Sequence, residues 1–348
     1  MLVGINKTPY GKITPYLKKY IDILSYNNID CTLLDVNESD FWEKVKKVDL
    51  FIHRRETNDD YNQITTSILP VLENYLNIKC FPDINTSWHY DDKIKHFLLL
   101  EQLGYEVAKS WVFWNKAKAL DWIEKAEFPL VFKLRRGAAS SGVSLIKTKQ
   151  QAKEIIERMF SKGIMHGENR KILAVKNFVK KLLGKQPYVP NYWQLEKNYV
   201  FFQKFLPDNG WDTRVYVIGE RAFAARRFTR PNDFRASGSG IVDETYKNID
   251  KEFIKIALRI VKDLKFQAMA FDFLYDSEKK PMICEISYTM PDDPVYQMEG
   301  FWDSNLNFHE GHFWPQYFHL VDLLNKPDLR IPESLLNAKV DYHNKRII

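Results

Sequence analysis

The stretch from Ala268 to Tyr288 limits the fold more than any other. Residues 268–275 (Ala-Met-Ala-Phe-Asp-Phe-Leu-Tyr) and 282–288 (Met-Ile-Cys-Glu-Ile-Ser-Tyr) read as two apolar strands, each interrupted by one acid and joined by a polar turn over 276–280. Strand side chains alternate between faces, so Asp272 shares a face with Ala268 and Ala270, and Glu285 with Ile283 and Ser287. Both acids stand equally far from the middle of the turn. A symmetric hairpin therefore sets them directly opposite, with Cβ atoms roughly 4.5–5.5 Å apart. Two carboxylates that close repel unless a proton or a cation lies between them. A hard divalent ion such as Mg²⁺, which takes a few carboxylates plus phosphate oxygens, suits the pair. The plainer reading, two solvated acids on an exposed face, is weakened by the apolar residues on either side.

The first 88 residues alternate short apolar runs (2–6, 31–35, 50–53 and 78–81) with helical patterns such as Tyr16, Leu17, Tyr20, Ile21 and Leu24. That alternation predicts a parallel sheet with helices on both faces. No glycine fingerprint follows the first strand, so a dinucleotide fold is not indicated. Arg54, Arg55 and Glu56 end the third strand, where a substrate often sits beside a parallel sheet; a surface ion-pair cluster is the competing reading.

Asp91-Asp92-Lys93 opens a helix that Gly104 stops. Strands over 107–113, 129–134 and 143–147 and helices over 117–126 and 150–159 follow. Lys133 ends an apolar strand and leads into Leu134-Arg135-Arg136-Gly137-Ala138-Ala139-Ser140-Ser141-Gly142. Small residues let backbone N–H groups approach a phosphate, and a lysine adds point charge. The loop is not a Walker motif, and a flexible hairpin is the plainer reading. A third region begins near Tyr199, with strands over 200–206, 213–218 and 222–227, a helix over 253–264, and a last helix over 314–324. Its arginines are Arg214, Arg226, Arg227, Arg230 and Arg235. Arg235 sits in a small-residue loop over 232–240 and suits a phosphate or carboxylate. Of the neighbours Arg226 and Arg227, one must point away from any site.

Net charge is +6, but residues 160–198 carry 8 Lys+Arg against 2 Asp+Glu, and the rest of the chain holds 43 of each sign. The excess is one local segment and not a basic field, which argues against nucleic-acid binding. Within it Ile172, Leu173, Val175, Phe178, Val179, Leu182 and Leu183 fall at helical spacing. A patch for a membrane surface or a lipid-linked substrate is one reading. A helix packed on the protein with solvated lysines is the favoured one. No apolar run approaches the roughly 20 residues of a membrane span, and none resembles a signal peptide. Three scattered cysteines, Cys31, Cys80 and Cys284, argue against a disulfide framework, so a cytoplasmic location is expected.

In this order the pieces resemble the ATP-grasp superfamily over about residues 1–325. They are the α/β start, Asp92-Lys93, Lys133 with its Gly/Ser loop, the strand into Phe202-Gln203-Lys204-Phe205-Leu206, and the Asp…Glu hairpin. Asp212-Thr213-Arg214-Val215 and Asp233-Phe234-Arg235 resemble the branch of ribosomal-protein glutamate ligases and glutathione synthetases. The resemblance implies an α/β (α+β) fold: an N-terminal parallel α/β domain (1–88) and two α+β subdomains (89–198 and 199–330) that sandwich a nucleotide, with a tail over 331–348. It implies that Lys93, Lys133 and the loop residues Gly137, Ser140, Ser141 and Gly142 meet ATP phosphates. The backbone at Lys204 and Phe205 meets the adenine, and Asp212 lies near the nucleotide. Arg235, Ala236 and Ser237 approach the phosphates or the acyl intermediate, and Asp272 and Glu285 hold Mg²⁺ or Mn²⁺. Two departures stand out: Ser287 replaces the usual Asn two residues after the Glu, and Lys204 replaces the hinge acid. The tail from Glu299 to His312 resembles a subgroup associated with capsule and surface-polysaccharide biosynthesis. Its His309-Glu310-Gly311-His312 lacks zinc spacing and reads as a substrate-facing loop or a buried polar network.

The implied activity is an ATP- and Mg²⁺-dependent carboxylate–amine ligase working through an acyl phosphate, with Lys133, Arg214 and Arg235 as catalytic residues. The carboxylate and amine would be small molecules, among them a uronic acid or amino acid substituent of a polysaccharide precursor. An ATP-grasp phosphotransferase and a non-catalytic nucleotide-binding protein are the alternatives. The superfamily is often dimeric, which leaves a homodimer open.

Overall fold

The structure, a computed structural model, describes residues 1–56, 59–137, 142–165, 175, 178–184, 195–231 and 233–336. Four strands, β1 (Val3–Asn6), β2 (Cys31–Leu34), β3 (Leu50–Ile52) and β4 (Lys79–Phe81), form a parallel sheet in the order β2-β1-β3-β4. Helices cover both faces, as the alternation predicts. Leu17, Tyr20 and Leu24 of the helix Pro15–Tyr26 pack against Ile5 and Ile52. Phe41, Leu69 and Leu72 fill the other side against Leu34 and Phe51.

The second sheet contains β5 (Ser110–Phe113), β6 (Leu130–Lys133) and β7 (Val143–Ile146). A two-stranded pair, β8 (Ile164–Met165) and β9 (Leu195–Glu196), stands apart from it. The strand β10 (Val200–Lys204) completes the second sheet by lying between β5 and β6, in the order β5-β10-β6-β7. The sequence reading assigns this strand to the third domain. The structure moves it, because Phe201 and Phe202 bury against Phe97, Phe132 and Trp122 beneath the helices Lys116–Ile123 and Lys149–Met159. No local pattern reveals a partner that far away in sequence.

The third sheet holds β11 (Trp211–Ile218), β12 (Arg221–Phe228), β13 (Val242–Asp243), β14 (Ala268–Tyr275), β15 (Pro281–Ser287), β16 (Gly300–Trp302) and β17 (Phe308–Glu310). Its path is β15-β14-β11-β12-β16-β17, with β13 on β12. The helix Lys251–Leu264 buries Phe253, Ala257 and Ile260 against Val215, Val217 and Phe271. Its first turn is capped by Asp250, which accepts the Glu252 N–H at 2.9 Å. The strands β16 and β17 escape the sequence reading, since three residues display no alternation. They also require a glycine: Gly300 has φ +158°, and a Cβ there would lie 2.1 Å from the His309 carbonyl oxygen.

Two further readings are corrected. β14 and β15 do set Asp272 opposite Glu285, but the register slips by one immediately afterwards, so that Phe273 faces Ile283. Cys284 and Glu285 together oppose Asp272 in a β-bulge. The slip sends Ile283 into the helix-covered core with Ile286, so it does not share a face with Glu285. The outer edge of β15 is pinned there by Glu106 and Ala108, whose carbonyl and N–H bond Ile283 at 2.8 and 2.9 Å. In the basic segment, Val175, Phe178, Val179, Leu182 and Leu183 are all exposed, so the described part of this helix is not packed on the protein. Ile172 and Leu173 lie outside the described residues. Among the described residues no helix is long and apolar enough to cross a membrane, and Cys31, Cys80 and Cys284 are free thiols.

The helix Pro315–Leu324 joins the first and third sheets, with Phe318, Leu320 and Leu324 in the core that also contains Leu17, Tyr216 and Phe223. At its centre, buried His319 shares a 2.7 Å hydrogen bond between Nδ1 and the Tyr20 hydroxyl. Burial pushes the imidazole of His319 down to about 3, that of His53 to about 4 and that of His96 to about 3. All three fold as neutral rings. Their contribution is intact above the unfolded value of about 6.5 and is lost as pH falls toward the folded values, by up to about 1.4 kcal/mol per pH unit for each ring. Urea denaturation between pH 7 and 4 should show stability falling with acid. His319→Gln should remove one ring's share of that slope.

Candidate active site

A cavity of about 880 Å³ lies where the three sheets meet. Its chemistry is set by one rung of the third sheet. Glu285 on β15 pairs with Asp272 on β14, which pairs with Arg214 on β11. All three side chains line the cavity. Asp272 is 8 % exposed. It receives Arg214 Nε at 2.5 Å, Arg214 Nη2 at 2.6 Å and Arg227 Nη2 at 2.9 Å. Arg227 in turn clamps Asp212 through two bonds of 2.7 and 2.6 Å. Burial disfavours the charge on Asp272, but Arg214 and then Arg227 outweigh it and hold the carboxyl well below the usual carboxylate range. Glu285 is less confined, with its side chain 33 % exposed and Lys93 Nζ 3.4 Å away.

The lysines arrive from the second region. Asp92 caps the helix Lys93–Gln102 by accepting the Lys95 N–H at 3.1 Å, which places Lys93 at the first helical position. Buried Lys93 donates to the Gly137 carbonyl at 2.7 Å. Lys133, at the end of β6, approaches the Cys284 carbonyl at 3.4 Å. Burial pushes its ammonium pKa down. Two cations thus flank two carboxylates at the mouth of the glycine loop, an arrangement that suits phosphate.

Gly137 lines the cavity with φ +113°. Gly142 does not line it. Gly142 closes the loop at φ +73° by accepting the Leu134 N–H at 2.8 Å, and a Cβ there would meet Leu134 Cβ at 2.9 Å. Ser140 and Ser141 lie outside the described residues. Lys204, Phe205 and Leu206 border the cavity between β10 and β11, near Val131 and Leu274, and offer a planar ring apolar walls. Asp212, Arg235, Ala236 and Ser237 also line it. The loop that carries Arg235 leans on this hinge, with Phe234 edge-on to Phe205 at 5.9 Å. Arg235 itself is engaged by Asp233, with Nε 2.8 Å from Oδ1 and Nη2 2.7 Å from Oδ2, so it must leave Asp233 to reach a phosphate.

The other arginines divide as alternation requires. Arg227 turns toward Asp212 and Asp272, while Arg226 turns to Asp243, with its Nε 3.1 Å from Oδ2. Arg230 bonds the Gly238 carbonyl at 2.5 Å. Arg55 is buried in scaffolding, its backbone N–H on the Tyr288 hydroxyl at 2.6 Å and its Nε on Asn62 at 2.8 Å. Arg54 and Glu56 face the cavity. Residues 309–312 do not: His309 pairs with Asp303 at 2.9 Å, and His312 bonds the Tyr296 and Met298 carbonyls.

Sequence reasoning missed Asp91. Its backbone is left-handed at φ +53°, an uncommon state for a non-glycine residue. Oδ1 accepts the Gly137 N–H at 3.0 Å, while buried Oδ2 has no hydrogen-bond partner among the described residues. Asp91 ties the glycine loop to the helix that supplies Lys93. The Asp-Asp-Lys triplet carries that signal, which the helix-start reading absorbed.

The donor set fits a hard cation. Two carboxylates and the Ser287 hydroxyl, 3.0 Å from Thr289 Oγ1, present only oxygen to the cavity. Among the described residues no group of three or more His, Cys, Asp or Glu is placed to hold a metal ion alone, so phosphate or water oxygens would have to complete the shell, as Mg²⁺ prefers. Glu285→Gln should weaken Mg²⁺-dependent ATP binding at least about tenfold with little loss of stability, because its ion pair with Lys93 is partly exposed. Asp272→Asn should weaken binding and also destabilise by about 3 kcal/mol, since it takes the carboxylate from the Arg214 guanidinium and leaves Arg227 with Asp212 alone. Calorimetry of ATP with and without Mg²⁺, beside thermal melts, separates the two.

A family model described as the RimK-like ATP-grasp domain matches residues 90–185 and 191–293. No curated protein matches the chain. Among solved structures, N5-carboxyaminoimidazole ribonucleotide synthetase from Thermotoga maritima is similar with a TM-score of 0.58 and 15% identity, over 94% of this chain and 76% of that one. The macrocyclase MdnC from Microcystis aeruginosa MRC, bound with precursor peptide MdnA, gives 0.57 and 14%, over 94% and 100%. The D-cycloserine synthetase DcsG gives 0.56 and 12%, over 93% and 99%. At these identities the likeness is one of fold.

Proposed function

The chain belongs to the RimK-like ATP-grasp family, and we propose that it is a ligase that joins a carboxylate to an amine through an acyl phosphate. The observation that carries this reading is the rung Glu285–Asp272–Arg214 with Lys93 and Lys133 beside it in one cavity. In this reading the nucleotide lies between the second and third sheets, and the first sheet brings the other substrates. Lys93 and Lys133 take phosphate oxygens, and Val131, Phe205, Leu206 and Leu274 wall the base. Asp272, Glu285 and Ser287 would hold Mg²⁺, which when bound neutralises charge on the phosphates.

The substrate carboxylate attacks the γ-phosphorus, the bond to the β-phosphate oxygen breaks, and ADP leaves. Arg235, once free of Asp233, and Lys133 stabilise the charge that spreads over the transferred group. The amine lone pair then attacks the acyl carbon, the C–O bond to phosphate breaks, and the extra amine proton is lost to give the amide. The loop over 233–240, leaning on Phe205, limits water that would hydrolyse the acyl phosphate. The resemblance of Glu299 to His312 to a surface-polysaccharide subgroup supports a polysaccharide precursor, such as a uronic acid, as the carboxylate.

Incubation with ATP, Mg²⁺ and pooled carboxylates, with and without amines, should release ADP and phosphate only when both partners are present. Lys133→Met should lower kcat/KM about a hundredfold or more, the scale of losing a fixed charge from a phosphoryl-transfer site. Release of AMP would overturn the acyl-phosphate route.

A further inference from the structure

The short helix in the basic segment departs furthest from an ordinary protein surface. Val175 and residues 178–182 are helical, and Leu183 closes the last turn by donating its N–H to the Val179 carbonyl at 3.1 Å. Gly184 ends the helix at φ +65°. Val175, Phe178, Val179, Leu182 and Leu183 are all exposed, Phe178 to 63 % and Leu182 to 72 %. None of them joins a hydrophobic core formed by the described residues. At about 100° per residue they make one stripe roughly 140° wide. Exposed apolar side chains scattered singly are ordinary, but a continuous stripe of them marks a docking surface.

The charge around the stripe says what covers it. Arg170, Lys171, Lys176, Lys180, Lys181 and Lys185 fall within residues 169–195, which contain no Asp or Glu. The segment 160–198 supplies the chain's whole net charge of +6, and the remainder is balanced. The partner is therefore anionic as well as apolar. By helical spacing Lys180 and Lys181 flank the stripe on opposite sides. A helix lying in the plane of a bilayer interface is built this way. Its apolar face enters the acyl boundary, and lysine stems carry their ammonium groups out to the headgroups. A nucleic acid would satisfy the lysines and leave the stripe in water. A neutral protein groove would cover the stripe and leave the lysines without counterions. Among the described residues no helix is long and apolar enough to cross a membrane, so the contact is one of lying on the surface.

We propose that this helix docks the protein on a bilayer that contains anionic phospholipid. Val175, Phe178, Val179, Leu182 and Leu183 enter the acyl boundary, and the lysines of the segment meet lipid phosphates. The inference is independent of the ligase reading. The apolar stripe selects a membrane over a soluble polyanion, and the lysines select an anionic surface over a neutral one.

The test is flotation of the full chain with vesicles of phosphatidylcholine alone and of phosphatidylcholine with one third phosphatidylglycerol. Binding to the mixed vesicles should exceed binding to the neutral ones by about tenfold or more, and high salt should weaken it. Phe178→Glu combined with Leu182→Glu should lower binding to the mixed vesicles about tenfold or more. The thermal melt should not change, because both side chains are exposed. Lys180→Gln combined with Lys181→Gln should lower binding about tenfold through charge alone. The proposal is overturned if the wild-type protein ignores the mixed vesicles, if it binds both kinds equally, or if the Phe178→Glu, Leu182→Glu variant binds as well as wild type. Light scattering of the same proteins without vesicles gives a further check. An oligomer that this variant dissolves, in a protein that ignores vesicles, would assign the stripe to a second copy of the chain and overturn the lipid contact.

Discussion

Asp272 is the residue whose charge everything around the cavity accommodates. It is buried on a strand otherwise filled by Ala270, Phe271 and Phe273, where an isolated carboxylate would be costly. Two arginines from β11 and β12 offset that cost, and they reach Asp272 only because antiparallel pairing sets Arg214 opposite it. The pairing of β14 with β11 therefore fixes the central carboxylate and the arginines in one operation. Glu285 joins them from the other side of the same rung.

The scaffold brings the remaining groups to that rung from independent directions. Helix capping by Asp92 places Lys93, the end of β6 places Lys133, and Asp91 ties the helix of Lys93 to the glycine loop through Gly137. The first sheet is held against the third by the helix Pro315–Leu324 and the Tyr20–His319 bond, which keeps Arg54 and Glu56 at the cavity edge. Each contribution rests on a separate small core, so the cavity lies at the junction of packed bodies and not inside any one of them.

Local signals were legible where period and punctuation agree. The four parallel strands, the helix from Lys93 to Gln102 and the Asp272–Glu285 pairing can all be read from spacing alone. What spacing cannot give is a partner distant in sequence. β10 reads as the start of a new region, yet it inserts between β5 and β6 because Phe201 and Phe202 have their core there. The bulge at Cys284 is similarly invisible, since it reflects the anchoring of Ile283 to the segment around Val107. The exposed helix around Phe178 has the period of a packed one. Periodicity reports an amphipathic face and not what covers it.

The bulge also explains why two acids on one rung behave differently. Without it Ile283 would share the cavity face with Glu285 and Ser287. With it, Ile283 goes to the helix side and Glu285 is left facing the cavity, partly exposed and held by one lysine at 3.4 Å. Asp272 is thus a fixed anion that keeps its arginines, while Glu285 can exchange Lys93 for a cation. In the proposed reading that exchange would free Lys93 for phosphate. In the proposed reading a polyanion and its metal would bind by exchanging partners around the rung, which limits the uncompensated charge that is buried.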